Sequence, residues 1–321
     1  MQEHPTWNII DSSKLDTFQR CKRMYFFEYI LGWRLDRPAH DLYFGQCWHL
    51  AREHQLLNGY SDVNGAYDKF LYEYRKEFPE ETDDLYRPKD PYGAFLALKK
   101  FATDRQSDLL ENELLLTETS GTVPISNHGR KLYYRMDSVL RSKLNNKIFS
   151  WDHKSRKGSF NRQWTEQFQL SIQNGTYTHC LYCMYPIEQV AGIEFCGTCF
   201  TYLVRGSTQR SQGYHIDLLR VPSYKTPDQM NSWLWTVNRL YNDLEYEMEL
   251  LSHCLEKDTV LMAFPMNDTS CTEYFGCVYH DYCISWQNPL QHCSEPPLGF
   301  REEYWNPAEM ETTNKRNLEW R

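Results

Sequence analysis

Asp137, Asp152 and Lys154 are the residues whose types and spacing point to chemistry. In Asp152-His153-Lys154 a carboxylate and an ammonium stand two residues apart, which on a strand puts them on one face. The surrounding segment, Leu132 to Lys154, spells two strands, Leu132–Leu140 and Ile148–Lys154, with turn chemistry at Asn145-Asn146. A hairpin closed at that turn sets Asp137 opposite Lys154 and diagonal to Asp152, roughly 5 Å and roughly 7–8 Å apart at Cβ. Two carboxylates and one amine on one face describe a metal site with a lysine beside it. Met136, Phe149 and Trp151 are placed to form the apolar face. Asp-x-Lys alone is also a common surface ion pair, so the rest of the chain has to decide.

Four further groups belong with these. Phe44-Gly45-Gln46-Cys47-Trp48-His49 reads as a glycine opening a helix with His49 one turn in, a candidate ligand or a structural histidine. A helix from about Gln167 to Met184 puts Gln173 and Tyr177 on one face, four residues apart, with Gln169 on the same stripe. Such a pair beside a metal site can hold a nucleic-acid strand or a water. Arg156, Lys157 and Arg162 lie in a short basic loop after the candidate strand, suited to phosphates or simply to solvent. Glu118, in a segment entering the sheet at Leu114–Ile125, could face the site from there, but reads more readily as a solvated edge residue.

Eleven cysteines occur in a sequence that shows no export signal, which favours a metal or cluster over a disulfide framework. Cys271, Cys277 and Cys283 are spaced at equal intervals and lack one partner for a four-thiolate site. Cys21, inside an N-terminal helix and flanked by Arg20, Lys22 and Arg23, is the best remote fourth. Four thiolates suit a [4Fe–4S] cluster or zinc. A competing arrangement, Cys180-x2-Cys183 with Cys196-x2-Cys199, resembles a zinc ribbon but falls in helical and strand patterns.

The elements that must position these groups follow from periodicity. Asp11–Lys14 reads as a helix cap, followed by apolar residues at helical spacing from Leu15 to Ile30. Residues 60–116 are mostly helical, with acidic connections. Residues 187–205 and 214–221 are strands, and Pro227–Lys257 is a long amphipathic helix. An apolar content of 41% and an aromatic content of 15% argue against disorder. A net charge of −8 gives no general affinity for nucleic acid, though a local basic groove would suffice. No stretch approaches 18 apolar residues, so no membrane span is expected.

Taken together, Gly45-x3-His49, Asp137, Asp152-x-Lys154 and Gln173-x3-Tyr177, in that order and bracketed by Cys21 and Cys271, Cys277 and Cys283, resemble the RecB-like branch of the PD-(D/E)XK nucleases. The cysteine layout is similar to its iron–sulfur subgroup, which includes the AddB nuclease domain and CRISPR-associated or phage-encoded exonucleases. Relatives usually carry a tighter pair among the downstream cysteines. The resemblance implies an α/β, restriction-endonuclease-like core, a mixed sheet flanked by helices, with a cysteine-ligated cluster joining the N-terminal helix to a C-terminal loop. It implies one domain over 1–321: a core at 12–285, a helical insertion at 60–116, a cysteine-rich segment at 264–293 and a tail at 294–321. It implies His49, Asp137, Asp152 and the His153 carbonyl as ligands of Mg²⁺ or Mn²⁺, and Lys154 acting on the attacking water. Gln173 and Tyr177 would position a DNA strand, single-stranded or with a free end. A cytoplasmic setting in a prokaryote or phage-infected cell follows, with a recombination, CRISPR or phage protein as a possible partner. Two other readings stay open: a non-catalytic DNA-binding module that keeps the cluster, and a zinc-stapled interaction protein.

Overall fold

The computed structural model describes residues 3–37, 39–206, 210–272, 276–309 and 314–320. Parts of the cysteine-rich segment (273–275) and of the C-terminal tail (310–313 and 321) lie outside them. Helices α1 (Ser12–Arg20) and α2 (Lys22–Tyr25, continued by a π turn at Phe26–Ile30) open the chain, followed by strand β1 (Trp33–Leu35). Three helices come next: α3 (His40–Asn58), α4 (Val63–Tyr74) and α5 (Pro91–Asp104). Strands β2 (Asn112–Pro124), β3 (Lys131–Ser142) and β4 (Ile148–Lys157) lead to α6 (Ile172–Met184). Then follow β5 (Val190–Leu203), β6 (Gly213–Ser223), the long helix α7 (Pro227–His253), β7 (Phe300–Glu302) and β8 (Asn314–Lys315).

The main sheet has the order β6-β5-β4-β3-β2-β8 and is mixed. β4 and β5 run parallel, joined by the α6 crossover that parallel neighbours need, and β8 adds parallel to β2 at Thr119–Ser120. The other neighbours are antiparallel. β1 and β7 form a separate small ribbon that ties the C-terminal segment to the N-terminal one.

Two cores flank the sheet. One gathers α1, α2, α6 and α7 through Phe18, Phe26, Tyr177, Trp233 and Val237 with Met136, Val139 and Phe195 of the strands. The other gathers α3, α4 and α5 through Trp48, Phe70 and Phe101 with Leu140, Phe149 and Trp151. Met136 therefore does not share a face with Phe149 and Trp151 as expected; the two groups serve opposite cores. α6 tolerates Gly175 because a helix must pass close there: a Cβ would lie 2.1 Å from the Trp233 ring of α7. Among the described residues no helix is long and apolar enough to cross a membrane.

Several local expectations are corrected. The N-terminal helix breaks at Cys21, which is extended (φ −158°, ψ 116°), so this cysteine sits between helices. Tertiary bonds hold the break: the Arg23 amide and side chain donate to Pro265 and Phe264 carbonyls at 3.2 and 2.9 Å. α3 begins at His40, so Gly45 lies inside it. The helix expected from Gln167 starts at Ile172. Residues 155–157 extend β4 where a loop was expected.

Candidate metal centre and cleft

The β3–β4 hairpin turns at the expected place. Asn146 takes a positive φ of 56°, and the Lys147 amide donates to the Asn145 side chain at 3.0 Å. Its register is two residues tighter than the sequence suggested. Ser138 pairs with Trp151 and Leu140 with Phe149, which sets Asp137 level with Asp152 and not with Lys154. A slip of two keeps every side chain on its face, so the acidic pair survives it. Pairing stops at Ser138. Beyond it the His153 amide donates to Asp137 Oδ2 at 2.7 Å, the carboxylate taking the place of a ladder carbonyl.

On the other side of β3, Thr117 pairs with Ser138 and Thr119 with Met136, which brings Glu118 opposite Asp137. Glu118 holds a positive φ of 39°, a strained conformation for a glutamate, and is buried at 4% exposure. It is not the solvated edge residue expected, because β8 covers that edge. Its Oε2 accepts from Arg135 Nε at 2.8 Å and is ion-paired with Nη2 of the same guanidinium at 2.7 Å.

His49 reaches the same spot from α3, its Nδ1 lying 2.9 Å from Asp137 Oδ2. One ligand atom each from His49, Glu118 and Asp137 lies within 4.8 Å of the others. Two carboxylates and an imidazole are a donor set that suits Mg²⁺ or Mn²⁺. Asp152, 1% exposed, adds Oδ2, which accepts no hydrogen bond among the described residues and is met, outside hydrogen-bond geometry, by Lys154 Nζ at 2.8 Å. A buried carboxylate oxygen so poorly satisfied fits a place where a cation is meant to sit.

The electrostatics agree. Burial alone would raise the Asp137 carboxyl, but His49 beside it and the His153 amide hold it well below the usual range. Burial would depress His49, yet the Asp137 carboxylate raises it. Burial, then the nearby Asp137 charge, push Glu118 up to about 7. Burial also raises Asp152, against the pull of Lys154.

Lys154 Nζ donates to Gln173 Oε1 at 3.0 Å, and Gln173 Nε2 donates to the Tyr177 hydroxyl at 3.0 Å. The line Asp152–Lys154–Gln173–Tyr177 thus links β4 to α6. It also separates the two glutamine candidates, since Gln169 lies outside α6 and donates to the Pro222 carbonyl. His49, Asp137, Asp152, Lys154, Gln173 and Tyr177 line a cleft of about 330 Å³, with Glu118 buried beneath it against Asp137. His153 also borders the cleft, but both of its ring nitrogens are buried without a hydrogen bond among the described residues.

Arg156, Lys157 and Arg162 are not among the cleft residues. Arg162 is exposed and pairs with Glu166 at 2.6 Å, and Arg156 lies over the Trp164 ring. Arg135 and Trp305 line the site without having been singled out. Arg135 was within reach of the sequence, had Thr117–Val123 been folded onto Leu132–Ser138 as a second hairpin.

Cys21, Cys271, Cys277 and Cys283 come into one neighbourhood. The Asn267 amide meets Cys21 Sγ at 3.5 Å and the Cys277 amide donates to the Cys271 carbonyl at 2.9 Å. Burial pushes the Cys283 thiol up to about 12, with Arg23 opposing and the other three sulfurs adding to the rise. Among the described residues the four sulfurs do not converge as tightly as the His49 group does. Cys180 and Cys196 pack into opposite cores, so the zinc-ribbon arrangement does not assemble.

A mixed sheet between helical layers with an acid-and-lysine cleft on its central hairpin defines a nuclease-type α/β fold. Residues 12–256 match the model of the PD-(D/E)XK nuclease superfamily, and the chain belongs to it. The nucleases of this superfamily are metal-dependent hydrolases that use divalent ions such as Mg²⁺ or Mn²⁺. A solved structure titled "Crystal structure of SSO0001" is similar at 13% identity over 65% of this chain and 77% of that one, with a TM-score of 0.26, too loose to carry more. No curated protein matches.

Proposed function

We propose that this protein is a metal-dependent DNA exonuclease of the RecB-like branch that carries a structural [4Fe–4S] cluster. The observation behind the first part is the convergence of His49, Glu118 and Asp137, with Asp152 and the Lys154–Gln173–Tyr177 line in the cleft beside them. His49, Glu118, Asp137 and Asp152 would hold Mg²⁺ or Mn²⁺, the imidazole favouring Mn²⁺. The His153 carbonyl would serve as a further ligand. A bound ion supplies charge neutralisation at the phosphate and acidifies a water. Lys154, fixed by Asp152 and Gln173, orients the attacking water and offsets charge on the phosphate. Tyr177 fixes Gln173, and Arg135 is the second cation facing the strand. Hydrolysis needs no electron, so the cluster acts as a fastener between Cys21 and the C-terminal loop. The cell compartment is the cytoplasm, of a prokaryote or a phage-infected cell.

The test is digestion of end-labelled single and double strands with Mg²⁺ and with Mn²⁺. Asp152→Ala and Lys154→Ala should abolish degradation while leaving the fold intact. Full activity in either variant removes the nuclease assignment. Anaerobic purification should give a brown protein with about four irons and four sulfides per chain; a colourless protein with stoichiometric zinc would leave the nuclease and remove the cluster.

A further inference from the structure

The family match ends at residue 256, yet the cleft has a wall from beyond it: Trp305 and Pro307. The segment carrying them is firmly held. β7 pairs with β1, the Glu303 amide donates to the Gly32 carbonyl at 2.7 Å, and Tyr304 stacks on His4 at 3.7 Å. Trp305 itself donates its Nε1–H to Asp11 Oδ2 at 2.8 Å. Asp11 is buried and fixed, because its other oxygen caps α1 through the Lys14 amide at 2.8 Å.

This arrangement says what Trp305 offers the cleft. Its one polar hydrogen is spent on Asp11, so the half-buried indole presents π surface and no donor. Tyr133, also half-buried and lining the cleft, has its backbone pinned by its amide to the Ile10 carbonyl at 2.8 Å. Two aromatic rings on fixed backbone, with Lys154 and Arg135 in the same cleft, combine a stacking platform with phosphate-seeking cations. At about 330 Å³ the cleft is at the small end of ligand sites. A duplex, whose major groove alone is about 12 Å wide, does not enter it. A base inside a duplex has both faces covered by the stack, and the end pair of a blunt duplex, which leaves one face open, brings a second strand with it. An unpaired terminal nucleotide brings one base alone.

We infer that Trp305, with Tyr133, forms a base-stacking subsite for an unpaired nucleotide at a DNA strand end, a specificity element supplied by the C-terminal segment. This rests on the nuclease reading. The subsite tolerates any base, because stacking reads the π-face and not the hydrogen-bonding edge.

The intact full chain is titrated in Mn²⁺ with an oligonucleotide of nuclease-resistant phosphorothioate linkages bearing 2-aminopurine at its terminal nucleotide, single-stranded or in a blunt duplex. Fluorescence should fall on binding the single strand and stay unchanged with the duplex. Trp305→Ala should remove the quench and weaken single-strand binding about tenfold. Trp305→Phe keeps a ring and should keep most of the quench, which also covers the case in which the alanine variant misfolds. Single strand bound without any quench by the parent, or bound equally by parent and Trp305→Ala, overturns the subsite and leaves the nuclease standing. No binding of either DNA by the parent removes both.

Discussion

The His153 amide donates to the Asp137 carboxylate across 2.7 Å at the point where β3 and β4 stop pairing. One residue thereby does two things. As an acceptor it satisfies a buried backbone N–H that the splayed strand can no longer serve. As an anion it faces His49 at 2.9 Å and Glu118 on the adjoining strand. Met136 and Val139, three apart, both face the same core, so the strand's alternation reverses here. The turnover and the left-handed Glu118 lie side by side, and together they bring carboxylates of neighbouring strands into one pocket.

Separating these two roles is possible with Asp137→Asn. Its amide oxygen can still accept from His153, while the charge toward His49 and a cation is gone. The fold should persist, Mn²⁺ affinity by calorimetry should drop about 10- to 100-fold, and DNA hydrolysis should disappear. Asp137→Ala should also lower the melting temperature, because it leaves the buried His153 amide unsatisfied. Undiminished Mn²⁺ binding by the asparagine variant would show that the ion sits elsewhere.

Cation binding should depend on pH with a definite sign. Protons compete for the same atoms: His49 is raised by Asp137, and Glu118 titrates near 7. For both groups the metal-free fold binds protons more strongly than the unfolded chain, whose values lie near 6.5 and 4.3. Their contribution to the stability of the metal-free protein is therefore present at low pH. It declines as pH rises, for Glu118 between about 4.3 and 7 and for His49 from 6.5 through its raised value. A divalent ion replaces those protons. The rise in melting temperature on adding Mn²⁺ should be larger at pH 8 than at pH 6, with protons released on binding. An equal rise at both would disprove the ligand set.

The parts of the site written in one short stretch were legible. Asp137, Asp152 and Lys154 share a hairpin whose turn announces itself, and the two-residue register error was harmless because strand faces repeat every two. What stayed hidden depended on distant contacts. Glu118 looked like an edge residue because nothing near it in sequence reveals β8, which arrives nearly two hundred residues later. The helical spacing from Leu15 to Ile30 runs through Cys21 unbroken; the break is held by distant partners, Phe264 and Pro265 on Arg23 and Asn267 and Ser270 on the Arg20 carbonyl. His40 opens α3 because Tyr74 and Tyr86 hold its ring, at 3.0 Å by hydrogen bond and 3.9 Å by stacking.

That break gives the cysteine proposal a discriminating test. Cys21 lies beside Asn267 although nearly 250 residues separate them. Serine at Cys21, Cys271, Cys277 or Cys283 should each lower bound iron and the melting temperature. Serine at Cys180 or Cys196, buried in opposite cores, should leave iron content unchanged. Iron lost from the second group and kept in the first, by metal analysis of purified variants, would reverse the assignment.

The Lys154–Gln173–Tyr177 line makes the last prediction. If Gln173 acts by holding Lys154, its loss should be felt through Lys154 alone. Gln173→Ala should reduce kcat about 10- to 100-fold with little change in KM, since the lysine stays paired to Asp152 but loses its second anchor. Tyr177→Phe removes the acceptor for Gln173 Nε2 and should cost less, about 1 kcal/mol in the transition state. In a double-mutant cycle built on Lys154→Arg, whose residual rate can be read, Gln173→Ala should cost much less than in the intact enzyme. Binding of DNA by Lys154→Ala gives the control: if Gln173→Ala weakens that binding as much as it slows the intact enzyme, the glutamine touches DNA directly and the lysine needs no such anchor.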